Sequence, residues 1–359
     1  MRNVTLVLED GSKFHGKSFG YEKPVQGEVV FNSAMTGYPE ALTDPAFAGQ
    51  IMVMTYPQVG NYGVPPLDEK TDGLANFTES DHIQPACLIV SDYSEAYCHW
   101  NAKESLGEWL VREQVPAITG IDTREITKTL REHGVMSGRI VFEGMEEEAT
   151  PAPAYDEVNY AAQVSCKEVI RYNPGAAKKV VAVDCGIKNN TLRSLIRRGV
   201  EVIRVPWDYD FNTLEFDGLL LGSGPGNPDT CEATVKHIVR FLQNDKMRPC
   251  LGIGMGNLLL AKAVGARTYK LKYGHRTHNQ PVRKVDTNTC FITTQTHGYA
   301  VDTATLPEDW TASYVNMNDG TNEGIRHIHK PWSAVQFQPE SCNNPVATDP
   351  IFDEFVTLL

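Results

Sequence analysis

The ten residues Arg248-Pro249-Cys250-Leu251-Gly252-Ile253-Gly254-Met255-Gly256-Asn257 leave the chain little choice of local structure. A short apolar run, glycines at alternate positions and then Leu258-Leu259-Leu260-Ala261 read as a buried strand, a sharp turn and a helix. That is the frame of a nucleophile elbow, in which flanking small residues permit a strained turn that lifts one side chain above a sheet. The apex residue here is Gly254, which has no side chain to lift.

The segments around that turn define the fold class. Val180-Val181-Ala182-Val183 is followed by a helical pattern over 190–198, the strand pattern Val200 to Val205, then Leu219-Leu220-Leu221 and a Gly/Pro loop, Gly222 to Pro228. A further helical pattern, 232–244, precedes the elbow strand. Strand–helix alternation of this kind predicts a parallel sheet with ligands at the carboxyl ends of its strands. The elbow and the Gly/Pro loop both lie at such ends and are expected to face one cleft. Residues 1–142 instead carry alternating apolar stretches such as Val4 to Leu8 and Gly27 to Phe31, with one helix predicted at Thr123 to His133 and stopped by Gly134. Between them, Glu146 to Pro153 is acidic and proline-containing, and patterning stays weak to Gly175. The expected organisation is α/β with two domains: a mixed α/β domain at 1–142, a connection at 143–177, and a domain with a mainly parallel central sheet at 178–359.

With 359 residues, 41% hydrophobic and 22% charged, the composition is that of an ordinary globular protein. A net charge of −12 without a basic patch argues against nucleic acid as a partner. No apolar stretch approaches the roughly 18 residues of a membrane span, and Met1 to Leu6 runs into a strand pattern rather than a signal peptide. A cytoplasmic protein with no membrane partner is expected. The eight cysteines, at 87, 98, 166, 185, 231, 250, 290 and 342, include no CxxC pair, so reduced thiols and no metal site are expected.

Gly11-Ser12-Lys13-Phe14-His15-Gly16-Lys17-Ser18 matches the phosphate-loop pattern, but Asp10-Gly11 is a hairpin signal and no helix can start at Phe19 to Pro24. The glycine-rich loops fail the dinucleotide pattern, because Asn227 and Asn257 occupy the sixth positions. Acyl-transfer geometry remains: an elbow nucleophile needs a base, a carboxylate to orient that base, and amides to hold an oxyanion. The late strand Ser333 to Phe337 delivers Gln338-Pro339-Glu340 to the same sheet edge, and glutamine cannot accept a proton at neutral pH.

Leu8-Glu9-Asp10-Gly11, Met35-Thr36-Gly37-Tyr38, Leu42-Thr43-Asp44-Pro45, Ile121-Asp122-Thr123-Arg124, Gly224-Pro225-Gly226-Asn227-Pro228, His278-Asn279-Gln280-Pro281-Val282 and His297-Gly298-Tyr299 occur in an order that carries a family resemblance. The C-terminal part resembles a class I (triad) glutamine amidotransferase, and the whole chain resembles the small subunit of carbamoyl-phosphate synthetase. The resemblance implies glutamine hydrolysis through a cysteine thioester, with ammonia passed to a large ATP-using subunit for carbamoyl phosphate synthesis in arginine and pyrimidine formation. It places ATP and Mg on that large subunit and no cofactor on this chain.

Carried over residue by residue, the family's nucleophilic cysteine falls on Gly254 and its histidine base on Gln338, while the carboxylate Glu340 is retained. In the glutamine pocket a serine falls on Ala46, a glutamine on Leu258 and an asparagine on Thr296; Gly224, Gly226, Met255, Gly298 and Tyr299 can still contribute backbone. The resemblance therefore points to a small subunit that has lost glutaminase activity and serves as a structural or regulatory partner of an ammonia-using synthetase. Gly-Asn-Leu after the apex is similar to ammonia-dependent synthetases. Two alternatives stand beside this reading. Glutamine hydrolysis could pass to Cys185, Cys231, Cys250 or Cys342, or the emptied pocket could hold a small ligand as a non-enzymatic regulator. His275 and His297 are assigned packing and hydrogen-bonding roles near the cleft.

Overall fold

The computed structural model describes residues 1–145, 153–340 and 345–359, so part of the acidic connection and Cys342 lie outside the described residues. Two compact units emerge, Met1–Thr71 with Ala75–Val158, and Asp72–Leu74 with Asn159–Leu359.

In the first unit, period-2 patterning builds a closed barrel. Its strands are β1 (Asn3–Leu8), β2 (Lys13–Ser18), β3 (Val25–Asn32), β4 (Gln50–Met54), β5 (Cys87–Ile89), β6 (Ala117–Thr119) and β7 (Met136–Phe142), paired around the barrel as β1-β7-β3-β4-β5-β6-β2. Alternation turns Val4, Leu6 and Leu8 inward to meet Val29, Ile51, Ile118 and Ile140. Closure leaves no unpaired strand edge. Helix α1 (Thr123–His133) starts where the Asp122 carboxylate accepts from the Glu125 amide and stops at Gly134, and it buries Ile126 and Leu130. The Gly11–Ser18 run forms the β1–β2 turn and strand β2, so no phosphate loop exists there.

The second unit is an α/β sheet with helices on its faces. Strands β8 (Ile170–Tyr172), β9 (Lys178–Asp184), β10 (Val200–Pro206), β11 (Gly218–Leu221), β12 (Cys250–Ile253), β13 (Thr268–Lys284), β14 (Cys290–Val301), β15 (Trp310–Asn316), β16 (Asn322–His327) and β17 (Trp332–Val335) lie in the order β8-β10-β9-β11-β12-β17-β16-β15-β13-β14. The central run β10-β9-β11-β12-β17 is parallel. An antiparallel wing, β16-β15-β13-β14, extends it on one side, and β8 closes the other edge antiparallel to β10. Strand–helix alternation did not announce that wing.

Central strands buried on both faces read as continuous apolar runs, and successive residues feed two core layers. Val181, Val183, Leu219 and Leu221 pack with Ile238 and Phe241 of α3 (Glu232–Leu242) and Leu258 to Leu260 of α4 (Met255–Ala263). Val180, Ala182 and Leu220 pack with Leu192 and Leu195 of α2 (Asn189–Ile196) and Phe352 and Phe355 of α5 (Pro350–Thr357). Among the described residues, no helix is long and apolar enough to cross a membrane.

Candidate active site

At the end of β12 the chain turns at Gly254 with φ 57° and ψ −109°, a conformation that strains any residue with a side chain. The turn is pinned on both sides. Gly254 donates its N–H to the Val335 carbonyl at 2.9 Å, and Gly256 donates to the Gly222 carbonyl at 3.0 Å. A Cβ on Gly256 would collide with the Leu221 carbonyl, so the helix can follow this closely only with glycine there. A Cβ on Gly254 would instead meet Ser223 Cβ at 3.4 Å, an ordinary contact. The turn thus leaves space for a side chain at its apex, and Met255 supplies the first amide of the helix, one of the N–H groups without an intrahelical partner.

These contacts bring together the carboxyl ends of β11, β12 and β17, as strand–helix alternation predicted. Gly224 and Gly226 lie in the loop beside Ser223, and Gln338 donates its N–H to the Thr294 carbonyl on β14 at 2.9 Å, close along the chain to Thr296, Gly298 and Tyr299. Leu258 is buried in the apolar core, where a glutamine side chain would have left polar groups to satisfy. Ala46 belongs to the first unit, in the short turn Pro45–Phe47.

Beside Gln338 and Glu340 the structure places a residue that sequence reasoning missed. Lys188, capping α2, donates to Gln338 Oε1 at 3.1 Å and stands 3.3 Å from Glu340 Oε1. All three side chains are buried. Asn190 donates its side-chain amide to the Glu340 carbonyl. The Glu340 carboxylate therefore faces the Lys188 ammonium. His278 lies within the field of that same ammonium; burial first, and the Lys188 charge second, hold its pKa down at about 4.

Of the candidate thiols within the described residues, Cys250 and Cys185 are disfavoured as nucleophiles. Cys250 is buried in the core, and burial pushes its thiol far up. Cys185 is raised by its hydrogen bond with Cys231 and by burial, while the same bond lowers Cys231. A thiolate is the nucleophilic form, and burial disfavours it.

On the antiparallel wing, His275 and His297 stand opposite one another in the β13–β14 ladder, with Glu323 of β16 beside them. His275 Nδ1 is 3.2 Å from His297 Nε2 and 3.4 Å from Glu323 Oε1. No short-range spacing signals this cluster, because its members are spread from residue 275 to 323.

Two family models match. Residues 6–140 match the carbamoyl-phosphate synthase small chain, CPSase domain, and residues 181–358 match glutamine amidotransferase class-I. The chain is 48% identical, over 99% of its length, to the mitochondrial carbamoyl-phosphate synthase [ammonia] of Homo sapiens, and spans 23% of that protein. It is 44% identical over 98% of its length to the arginine-specific small chain of carbamoyl phosphate synthase from Aspergillus oryzae, and covers 79% of it. Matched from end to end in this way, with the amidotransferase elbow intact in its backbone, the chain belongs to the carbamoyl-phosphate synthase small-chain family and carries a class I glutamine amidotransferase domain.

Proposed function

We propose that this chain is the small-chain module of a carbamoyl-phosphate synthase that uses ammonia, with its own glutamine hydrolysis lost. The reading is carried by Gly254 at the apex of the turn, supported by the buried Gln338–Lys188–Glu340 contacts at the positions to which the resemblance assigns a base and its carboxylate. Without sulfur at the apex no thioester forms there, and without imidazole no group takes up and returns a proton. Removing a nucleophile and base that act together costs on the order of 10⁶ in rate. Leu258 and Thr296, at positions where the resemblance expects polar side chains, further reduce the polar partners available to glutamine. A relative at 48% identity carries the word ammonia in its name, which agrees with this reading.

The partner is the large, ATP-using part of the synthase, and ATP and Mg belong to it. The module's role there is structural or regulatory. Its cytoplasmic placement is likewise a proposal, set beside a relative named mitochondrial, and fractionation of the source cells tests it.

Combining the chain with its large partner and supplying either glutamine or ammonium tests the function. Ammonium is expected to support carbamoyl phosphate formation and glutamine to support none above background. Equal synthesis from low glutamine overturns the reading.

A further inference from the structure

We infer that His275, His297 and Glu323 form a binding site for a divalent transition metal of the zinc class. The three side chains are 5%, 8% and 0% exposed, so no solvent shell shields their lone pairs from one another.

The outward nitrogens of both rings are already committed. His297 Nδ1 lies 2.9 Å from the Tyr299 carbonyl, which can only accept, so this nitrogen carries the proton. His275 Nε2 lies 2.8 Å from Asp319 Oδ2 and donates to it. His275 Nδ1 faces Glu323 Oε1, which also accepts from Asn316 Nδ2 at 3.0 Å, so a metal would take the place of a proton on Nδ1; both rings would then present lone pairs, from His275 Nδ1 and His297 Nε2, toward the same point as Glu323 Oε1. Metal-binding histidines are held in this way, each giving its outer N–H to a carboxylate or a backbone carbonyl.

The distances suit a metal. Bonds of about 2.0–2.1 Å in a tetrahedral zinc site imply ligand-to-ligand edges of about 3.3 Å. The observed edges are 3.2 Å between the two histidines, 3.4 Å from His275 to Glu323 and 3.9 Å from His297 to Glu323. Gln295 Oε1, another acceptor, sits 3.0 Å from His297 Nε2 and offers the fourth position. Independently, Glu323 Oε2 is buried without a hydrogen-bond partner, although its residue is fully enclosed. An orphaned carboxylate oxygen is costly there and would be satisfied by a cation.

Two imidazoles and a carboxylate select zinc or cobalt over magnesium or calcium, which prefer all-oxygen shells. The bound ion would tie together β13, β14 and β16. Through the Tyr299 carbonyl it would also fix the backbone at Gly298 and Tyr299.

The test uses the full chain, stripped with a chelator and titrated separately with zinc and with cobalt. One equivalent per chain is expected, with the visible absorption of four-coordinate cobalt. His275→Gln and Glu323→Gln should each abolish that absorption, and Asp319→Asn should weaken zinc binding about 10–100-fold. If a substituted chain fails to fold, cobalt bound to the unsubstituted chain decides by its absorption. Failure of the unsubstituted chain to take up either metal overturns the inference, as does uptake that survives both glutamine substitutions.

Discussion

Lys188 Nζ stands 3.3 Å from Glu340 Oε1, and only 5% and 0% of the two side chains remain exposed. A carboxylate this deep must be matched by a positive charge or else be neutralised by a proton. Here a permanent ammonium supplies that charge, and its second contact is the amide oxygen of Gln338 at 3.1 Å. Removing one partner of a buried pair leaves the other charge stranded. Lys188→Met is therefore expected to destabilise the second unit by about 3–5 kcal/mol, read as a fall in the denaturant midpoint at unchanged slope. Adding Glu340→Gln to the same chain should recover much of that loss. If the double variant is as unstable as the single one, the ion pair is not what Lys188 provides.

If glutamine hydrolysis has been lost as proposed, the strand–turn–helix backbone at Gly254 should let side chains alone supply it. Gly254→Cys places a Cβ at 3.4 Å from Ser223 Cβ, which is tolerable, in a φ/ψ region that costs about 1–3 kcal/mol. By itself that thiol has no base, and ammonia release from glutamine should stay at background. Gly254→Cys with Gln338→His restores both members. The pair should exceed either single variant by about 100-fold or more at saturating glutamine. A high KM is expected, because Leu258 and Thr296 remain. Equal activity in the single and double variants would show that Gln338 does not hold the base position.

Gly256 tests the packing beneath the elbow. Its missing Cβ is what lets α4 pass the Leu221 carbonyl, which cannot move without breaking the parallel ladder of β11 with β9 and β12. Gly256→Ala should destabilise by about 1–3 kcal/mol, the usual cost of overpacking. The exposed-turn variant Gly175→Ala serves as a contrast: space is open there but φ is +90°, so its loss comes from backbone strain alone. Thermal unfolding of the two variants separates crowding from strain.

The elbow was legible because every signal for it is local: apolar run, alternating glycines, helix. The same holds for α1, whose Asp122 cap and Gly134 stop are adjacent in sequence to the helix they bound. Barrel closure was not legible, since β3 must pair with both β4 and the far β7, and nothing in 25–32 names its distant neighbour. The long β13–β14 ladder was hidden too, because its register shifts between Lys270 and His275 and between Thr277 and Gln280 interrupt strict alternation. Nothing in the sequence around Lys188 marks it as a site residue. Only the sheet brings it to Gln338, 150 positions away. The histidine–glutamate cluster was hidden for the same reason.

His278 reports on the electrostatics around Lys188. Its pKa falls from 6.5 to about 4 because burial disfavours the imidazolium and the Lys188 charge opposes it further. The unfolded chain takes up a proton at this ring below about pH 6.5, whereas the folded chain resists until about 4. Stability from the neutral ring is thus fully present above 6.5 and is lost as pH falls through this window. Carboxylates also act in acid, so the measurement is a difference: unfolding free energy of the unsubstituted chain minus that of His278→Gln, taken from pH 7 to 4. The difference should decline across that range and stay flat above it. Histidine-selective NMR should show a neutral ring at pH 5. Lys188→Met should lift the titration only part of the way toward 6.5, because burial is the larger cause. A ring that titrates near 6.5 in the unsubstituted protein would mean that neither burial nor Lys188 acts on it as the structure requires.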